Sequence, residues 1–254
     1  MGTIDNKKNI FLEAGETVED LQCGGLRLIQ REDLFKFGLD SVLLANFVRA
    51  PARSTIVELC AGSCVVSILL SSKTSASRIV GIEILEDFVH MAEKSILLNG
   101  LDGKVEIING DIRNISNMFR KGYAVSVVAN PPYIKQDSGL TSNDAIKNIA
   151  RHEVMCTLSD VVEAASHILP DGGSFFMVHR PQRLTDILYE MRKNKIEPKY
   201  LKTVHSRIGQ KASLILIEGR KSSGPELTML EPVYVYDECG VHISQASLER
   251  LSSR

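Results

Sequence analysis

No stretch of the chain holds the roughly 18 consecutive apolar residues that a membrane-spanning helix needs, so no such helix is expected. The first nine residues carry charges and lack an apolar centre, and no secretory leader is expected either. Cysteines are few and poorly spaced for metal. The five, at 23, 60, 64, 156 and 239, form no Cys-x-x-Cys pair, and Cys60 and Cys64 have no second pair or nearby histidine to complete a zinc set. The expectation is a metal-free, cytoplasmic chain with reduced thiols. A net charge of −1 does not advertise nucleic-acid binding. A phosphate cradle is also missing. The loop Ala61-Gly62-Ser63 has one glycine and no Lys-Ser/Thr after it, which excludes a P-loop kinase or ATPase. Repeats and low-complexity tracts are absent too.

What is present fits a globular α/β chain. The hydrophobic share is 44% of 254 residues, enough for one large domain or one domain with a small appendage. Charge is unevenly spread. From Arg180 to Lys221 stand 11 Lys/Arg against 4 Asp/Glu, so that segment carries +7 and the remainder −8. Such a skew suits either a basic face for phosphates or a solvated surface.

The rest of the chain is organised around Val127-Val128-Ala129-Asn130-Pro131-Pro132-Tyr133. The β-branched, uncharged run from Val125 to Ala129 reads as a buried strand. Two prolines cannot continue a ladder, so the chain leaves the sheet at Asn130. An amide and an aromatic ring thus stand on a stiff turn at a strand's carboxyl end, where open α/β sheets bind ligands.

Other strands lead to the same place. Thr55 to Leu59, the loop Cys60 to Cys64 and a helix from Val65 to Ser71 make the opening of a nucleotide-binding βαβ unit. The second strand, Arg78 to Glu83, ends in a carboxylate 21 residues beyond Gly62, within reach of ribose hydroxyls. A third, Lys104 to Ile108, leads to Asp111, which either accepts from an adenine amino group or caps the next helix. Glu83, Asp111 and Asn130 together outline a cofactor site and, beside it, a reaction site. Ser174 to His179, Tyr200 to His205 and Ser213 to Glu218 complete a mostly parallel, doubly wound, Rossmann-like sheet. Helices are expected over 41–48 with Asp40 or Ser41 as cap, over 85–99, over 158–169 with Thr157 or Ser159 as cap, and from Arg180 to about Lys193. Residues 1–14 read as frayed, Glu16 to Gln30 as a hairpin, and 233–236 as an edge strand or packed extension. The polar segment 134–152, with Lys135, Arg151 and His152, reads as a loop over the site.

Asn130-Pro131-Pro132-Tyr133 resembles the signature of methyltransferases that use S-adenosylmethionine to methylate an amino or amide nitrogen. The chemistry explains the residue types. An adenine amino group is a poor nucleophile because its lone pair is delocalised into the ring. The Asn130 side-chain carbonyl and the Pro131 backbone carbonyl can accept from that NH₂, aim its lone pair and stabilise positive charge developing on nitrogen. Tyr133 offers a stacking face, and Pro131 and Pro132 hold the turn rigid.

More narrowly, residues of roughly 15–240 resemble the bacterial tRNA adenine methyltransferases that modify the adenosine just 3′ of the anticodon in a valine tRNA. Phe35-Lys-Phe-Gly38-Leu-Asp40-Ser41, Glu58-Leu-Cys60-Ala61-Gly62-Ser, Asn130 to Tyr133, Ala150-Arg151-His152-Glu153 and Val178-His179-Arg180-Pro181 carry the likeness. The resemblance implies a class I methyltransferase fold. It implies that Gly62, with Glu58, Cys60 and Ala61 around it, lines the methionine part of S-adenosylmethionine. Glu83 would hold the ribose, Asp111 the cofactor adenine, and Asn130 to Tyr133 the target base, while Gly38 and Asp40 lie near the cofactor. Lys135, Arg151, His152, Arg180, Arg207 and Lys211 are the candidates for contact with tRNA; on the residues alone they are equally solvated side chains. The sequence departs from the family at Cys64, where the loop usually ends in glycine, and weaker cofactor binding is the expected consequence.

Residues 1–50 are expected to form a hairpin-plus-helix extension, 51–221 the catalytic domain and 222–254 a C-terminal tail. Two other functions fit parts of the pattern. Enzymes that methylate a glutamine amide on a translation release factor share Asn-Pro-Pro-Tyr but carry a longer helical domain before the glycine loop. Only about 55 residues precede it here. A non-catalytic RNA-binding module would keep the fold and lose the cofactor through Cys64.

Overall fold

Strands buried on both faces must be apolar throughout, and the centre of this molecule is built from such runs. A computed structural model of the chain describes residues 2–5, 10–34, 37–132 and 156–236. Four strands precede the main sheet: β1 (Gly2–Asp5), β2 (Ile10–Leu12), β3 (Glu16–Asp20) and β4 (Arg27–Arg31). Helix α1 (Leu39–Phe47) follows, and then β5 (Thr55–Leu59), α2 (Val65–Lys73), β6 (Arg78–Glu83), α3 (Glu86–Leu98), β7 (Val105–Asn109), the short α4 (Ile115–Met118) and β8 (Ser126–Ala129). After residue 155 come α5 (Leu158–Ile168), β9 (Ser174–His179), α6 (Leu184–Lys193), β10 (Ile196–His205), β11 (Ala212–Lys221), β12 (Thr228–Met229) and β13 (Val233–Tyr234).

The main sheet runs β7-β6-β5-β8-β9-β11-β10, with β12 and β13 both on the outer edge of β10. From β7 to β9 neighbouring strands are parallel, and β11 is antiparallel to both β9 and β10. The chain steps outward from β5 through β6 to β7, then returns to β8 on the other side of β5. Strand order therefore reverses between β5 and β8, and a crevice opens outside their carboxyl ends. This is the expected doubly wound, Rossmann-like sheet.

Alternation along each strand feeds two cores. Ile56, Ile79, Val128 and Phe176 join residues of α1, α2 and α3 on one face. Val57, Val80, Val127 and Phe175 join residues of α5 and α6 on the other. The ring of Phe47 at the end of α1 meets Phe176 of β9 edge-on, with centroids 6.1 Å apart.

The N-terminal hairpin is docked by polar side chains. Asn99 Oδ1 accepts from Arg27 N at 2.8 Å, its Nδ2 donates to Arg27 O, and Ser95 Oγ accepts from Ile29 N at 2.9 Å. The free edge of β4 is thus closed by α3, which removes a template for edge pairing. Lys94 of the same helix pairs with Glu13 and Glu16.

Several expectations need correction. Residues 2–5 and 10–12 are a strand pair and not frayed ends, and buried Ile10 packs among Ile29, Phe88, Met91 and Leu98. Gly38 is the N-cap of α1, while Asp40 and Ser41 lie in its first turn. Pro181–Arg183 form a 3₁₀ turn before α6 begins. β10 starts four residues before Tyr200, because the ladder slips at Pro198, which has no N–H to give, and so tolerates the proline. Thr157 does cap α5, in a reciprocal capping box with Asp160.

Candidate active site

The turn after β5 is made by backbone conformation as much as by side chains. Cys60 (φ 56°), Gly62 (φ 53°) and Cys64 (φ 65°) all lie in the left-handed region, so the chain doubles back within five residues. Its amides are taken up at once. Ala61 N donates to Ile82 O at 2.9 Å, Gly62 N to Glu83 Oε2 at 2.8 Å, and Cys64 N to Ala61 O at 2.8 Å. Left-handed backbone favours glycine at position 64, since a Cβ there costs about 1–2 kcal/mol. Cys64 meets that cost with a thiol that is buried in the core under α1 and α2. A Cβ on Gly81 would lie 3.0 Å from that sulfur, so Gly81 is what leaves it room.

A cleft opens at the carboxyl ends of β5, β6 and β7. Ile82, Ile84 and Ile112 give it apolar walls, Glu83 and Asp111 supply carboxylates, and Pro132 brings the β8 turn to its rim. Cys60 and Cys156 also line it, with sulfurs 3.7 Å apart. Their shared proton raises the Cys60 thiol and lowers that of Cys156, and burial pushes Cys60 up further.

Each carboxylate is already partly engaged. Glu83 accepts from Gly62 N through Oε2 and from Ile84 N and Leu85 N through Oε1, each at 2.8–3.0 Å. A carboxylate offers about four lone-pair positions, so one, on Oε2, is left for a ligand hydroxyl. Asp111 caps the 3₁₀ turn 112–114 through Arg113 N. The Arg113 guanidinium, in a two-pronged pair, holds the Asp111 carboxyl below its usual range. The capping role expected for Asp111 is thus the one seen, and the same residue lines the cleft. Glu58 behaves differently. The residue is 1% exposed, its carboxyl group accepts from Ser67 N and Ser67 Oγ under the start of α2, and it is not among the cleft's walls.

Asn130 stands immediately past β8, followed by buried Pro131. Its Nδ2 donates to Ser41 Oγ at 3.0 Å, across 89 residues of sequence. Ser41 is in turn held in α1, where its N–H meets Asp40 Oδ1 and Gly38 O. A side chain on Gly38 would come within 2.9 Å of Asp40 Oδ1. The segment 38–41 thus reaches the turn after β8.

Basic side chains gather on the same edge. β9 ends beside the start of β11, with His179 opposite Ile215, so the turn 206–211 projects past the sheet's carboxyl edge. Arg207 and Lys211 are both in it. Arg207 lies over the Tyr236 ring at 5.7 Å. Arg180 bonds inward to Ser213 O at 3.3 Å. His179 is a neutral structural group. Burial and the neighbouring guanidinium of Arg183 push it down to about 4, and its Nδ1 accepts from Arg180 N. Tyr133, Lys135, Arg151 and His152 lie outside the described residues. Among the described residues no cluster of His, Cys, Asp and Glu is placed to hold a metal.

Residue-by-residue reading did not put Cys156, Ile84 or Ile112 at the cleft, nor Ser41 at Asn130. Of these only Ser41 carried a signal, its place directly after Gly38-Leu39-Asp40.

The family model for the methyltransferase small domain matches residues 36–197, well over half of the chain. The chain belongs to that family. The chain is also similar to curated proteins named tRNA1(Val) (adenine(37)-N6)-methyltransferase. The one from Bacteroides fragilis is 27% identical over 143 residues, which cover 56% of this chain and 59% of the relative. The match thus spans about three fifths of that relative's length. A relative of the same name from Photobacterium profundum is 20% identical over 200 residues, 78% of this chain and 82% of its own. Among solved structures, a predicted O-methyltransferase from Agrobacterium tumefaciens superimposes with a TM-score of 0.67 at 20% identity, over 84% of this chain and 97% of its own. TYW2 from M. jannaschii, solved in complex with AdoMet, gives 0.56 at 14% identity, over 83% of this chain and 87% of its own. At these identities the two structures establish the fold of this methyltransferase small domain chain and nothing finer.

Proposed function

We propose that this chain methylates the exocyclic amino group of an adenine in tRNA, the adenosine 3′ of the anticodon in a valine tRNA, with S-adenosylmethionine as the donor. The single observation that carries the reading is the Asn130 amide, fixed at the carboxyl end of β8 beside the point where strand order reverses. The family and the names of its curated relatives support it.

The cleft suits the cofactor. Apolar Ile82, Ile84 and Ile112 offer flat contact to a purine, the open position on Glu83 Oε2 offers an acceptor to a ribose hydroxyl, and Asp111 offers one to an amino group. When bound, S-adenosylmethionine supplies an electrophilic methyl on a sulfonium. The chain's own residues do the rest. Asn130 Oδ1 and Pro131 O accept from the target NH₂ and turn its lone pair out of the ring plane. That alignment carries most of the rate, since the reaction is one of positioning. No general base is required, because the methylated amine is strongly acidic and loses its proton to water. Tyr133 provides the stacking face, and Arg207 and Lys211 supply charge for the RNA backbone on the same edge.

Asn130→Ala tests the assignment. Methyl transfer should fall at least a hundredfold, while calorimetric titration with S-adenosylmethionine gives a Kd close to wild type. Loss of cofactor binding in parallel would make Asn130 a structural residue.

A further inference from the structure

We propose that Ser41 is a positioning residue for methyl transfer, holding the Asn130 amide with its carbonyl oxygen toward the substrate amine. The inference rests on the function proposed above and adds a residue to it.

A primary amide presents a donor at one end and an acceptor at the other. Only the acceptor end serves an amine substrate, and a half-turn of the Asn130 amide would set NH₂ against NH₂. In the structure Asn130 Nδ2 donates to Ser41 Oγ at 3.0 Å, which sends Oδ1 the other way. A hydroxyl can receive either end of an amide. With an amine in the site, however, only this orientation leaves every donor facing an acceptor.

The hydroxyl is well placed to hold the amide still. Ser41 is 3% exposed, so water does not compete for the bond. It sits in the first turn of α1, with its own N–H bonded to Gly38 O at 3.2 Å and Asp40 Oδ1 at 2.9 Å. That helix is locked to the sheet by Leu43, Leu44 and the Phe47–Phe176 ring pair. A site held by a packed helix is more precise than one left to a loop. This gives the segment Gly38-Leu39-Asp40-Ser41 a task at the reaction centre, separate from any contact with the cofactor.

Ser41→Ala removes only the hydroxyl and suits a helix, so folding is not at risk. With tRNA as substrate its kcat should fall about tenfold, the worth of one buried hydrogen bond, with KM and Kd for S-adenosylmethionine within about twofold of wild type. Ser41→Thr, which keeps the hydroxyl, should recover most of the loss. The side-chain NH₂ pair of Asn130, assigned in an ¹⁵N spectrum by its absence from Asn130→Ala, should move to solvent-like positions in Ser41→Ala. An unmoved pair, an unchanged kcat or a matching loss of cofactor affinity overturns the proposal. The two readings fail separately. If Asn130→Ala turns over normally the proposed function falls, whereas an inactive Asn130→Ala beside an unaffected Ser41→Ala removes only Ser41.

Discussion

Glu58 shows how far a residue's role depends on which way it faces. It belongs to the loop motif that the family likeness attaches to the cofactor, yet its carboxyl is sealed beneath α2 and bonded to Ser67. Burial pushes it up to about 8, against an ordinary 4.5. Between those two values the native state holds a proton that the unfolded chain has lost. Stability from this group is therefore present in acid and declines as pH rises from about 4.5 to 8. Glu58→Gln keeps the shape of the neutral acid and has nothing to ionise. Relative to wild type it should gain on the order of 3 kcal/mol between pH 5 and pH 8, read as the difference between two chemical denaturation series. Parallel curves for the two proteins would show that Glu58 is charged in the fold. Glu83, by contrast, keeps one acceptor position open in the cleft although three backbone amides already hold it.

At the scale of elements, the hairpin and α3 form one unit. Ser95 and Asn99 stand on the inward side of that helix, where polar residues look out of place. They are there because β4 offers its edge N–H groups and needs acceptors. Asn99→Ala leaves Arg27 N and Arg27 O without these partners and should cost about 1–3 kcal/mol. Hydrogen exchange should quicken first in 16–31, with the amides of β5 and β8 protected as before. Uniform loss of protection across the sheet would mean that the hairpin folds only with the whole. Periodicity found nearly every strand of the main sheet, since a strand buried on both faces has to be apolar from end to end. It misjudged β10, where Pro198 stands inside the strand, and it missed the β1–β2 pair, whose short strands leave no period to read.

For the whole molecule, what was legible is what neighbours in sequence determine. Glu83 ends a strand, Asp111 and Asn130 each stand just past one, and the parallel winding brings those ends together. The contacts that complete the site are of another kind. Asn130 meets Ser41 across 89 residues and Cys60 meets Cys156 across 96, and no local pattern encodes either pairing. The excess positive charge between 180 and 221 also acquires a direction only in the fold, where the turn 206–211 stands on the same edge as Asn130. Reversing Arg207 and Lys211 to Glu should weaken tRNA binding and flatten its dependence on salt by about 1–2 in the log–log slope. An unchanged slope would put the RNA on another face.

One measurement bears on all of this most directly. The protein is incubated with isotopically labelled S-adenosylmethionine and total bacterial tRNA that lacks the modification, and the tRNA is digested to nucleosides for mass analysis. Labelled N6-methyladenosine, formed by the wild-type chain and not by Asn130→Ala, is the predicted result. Absence of that nucleoside from a protein that binds S-adenosylmethionine would contradict the account and turn attention to a protein glutamine amide as the acceptor.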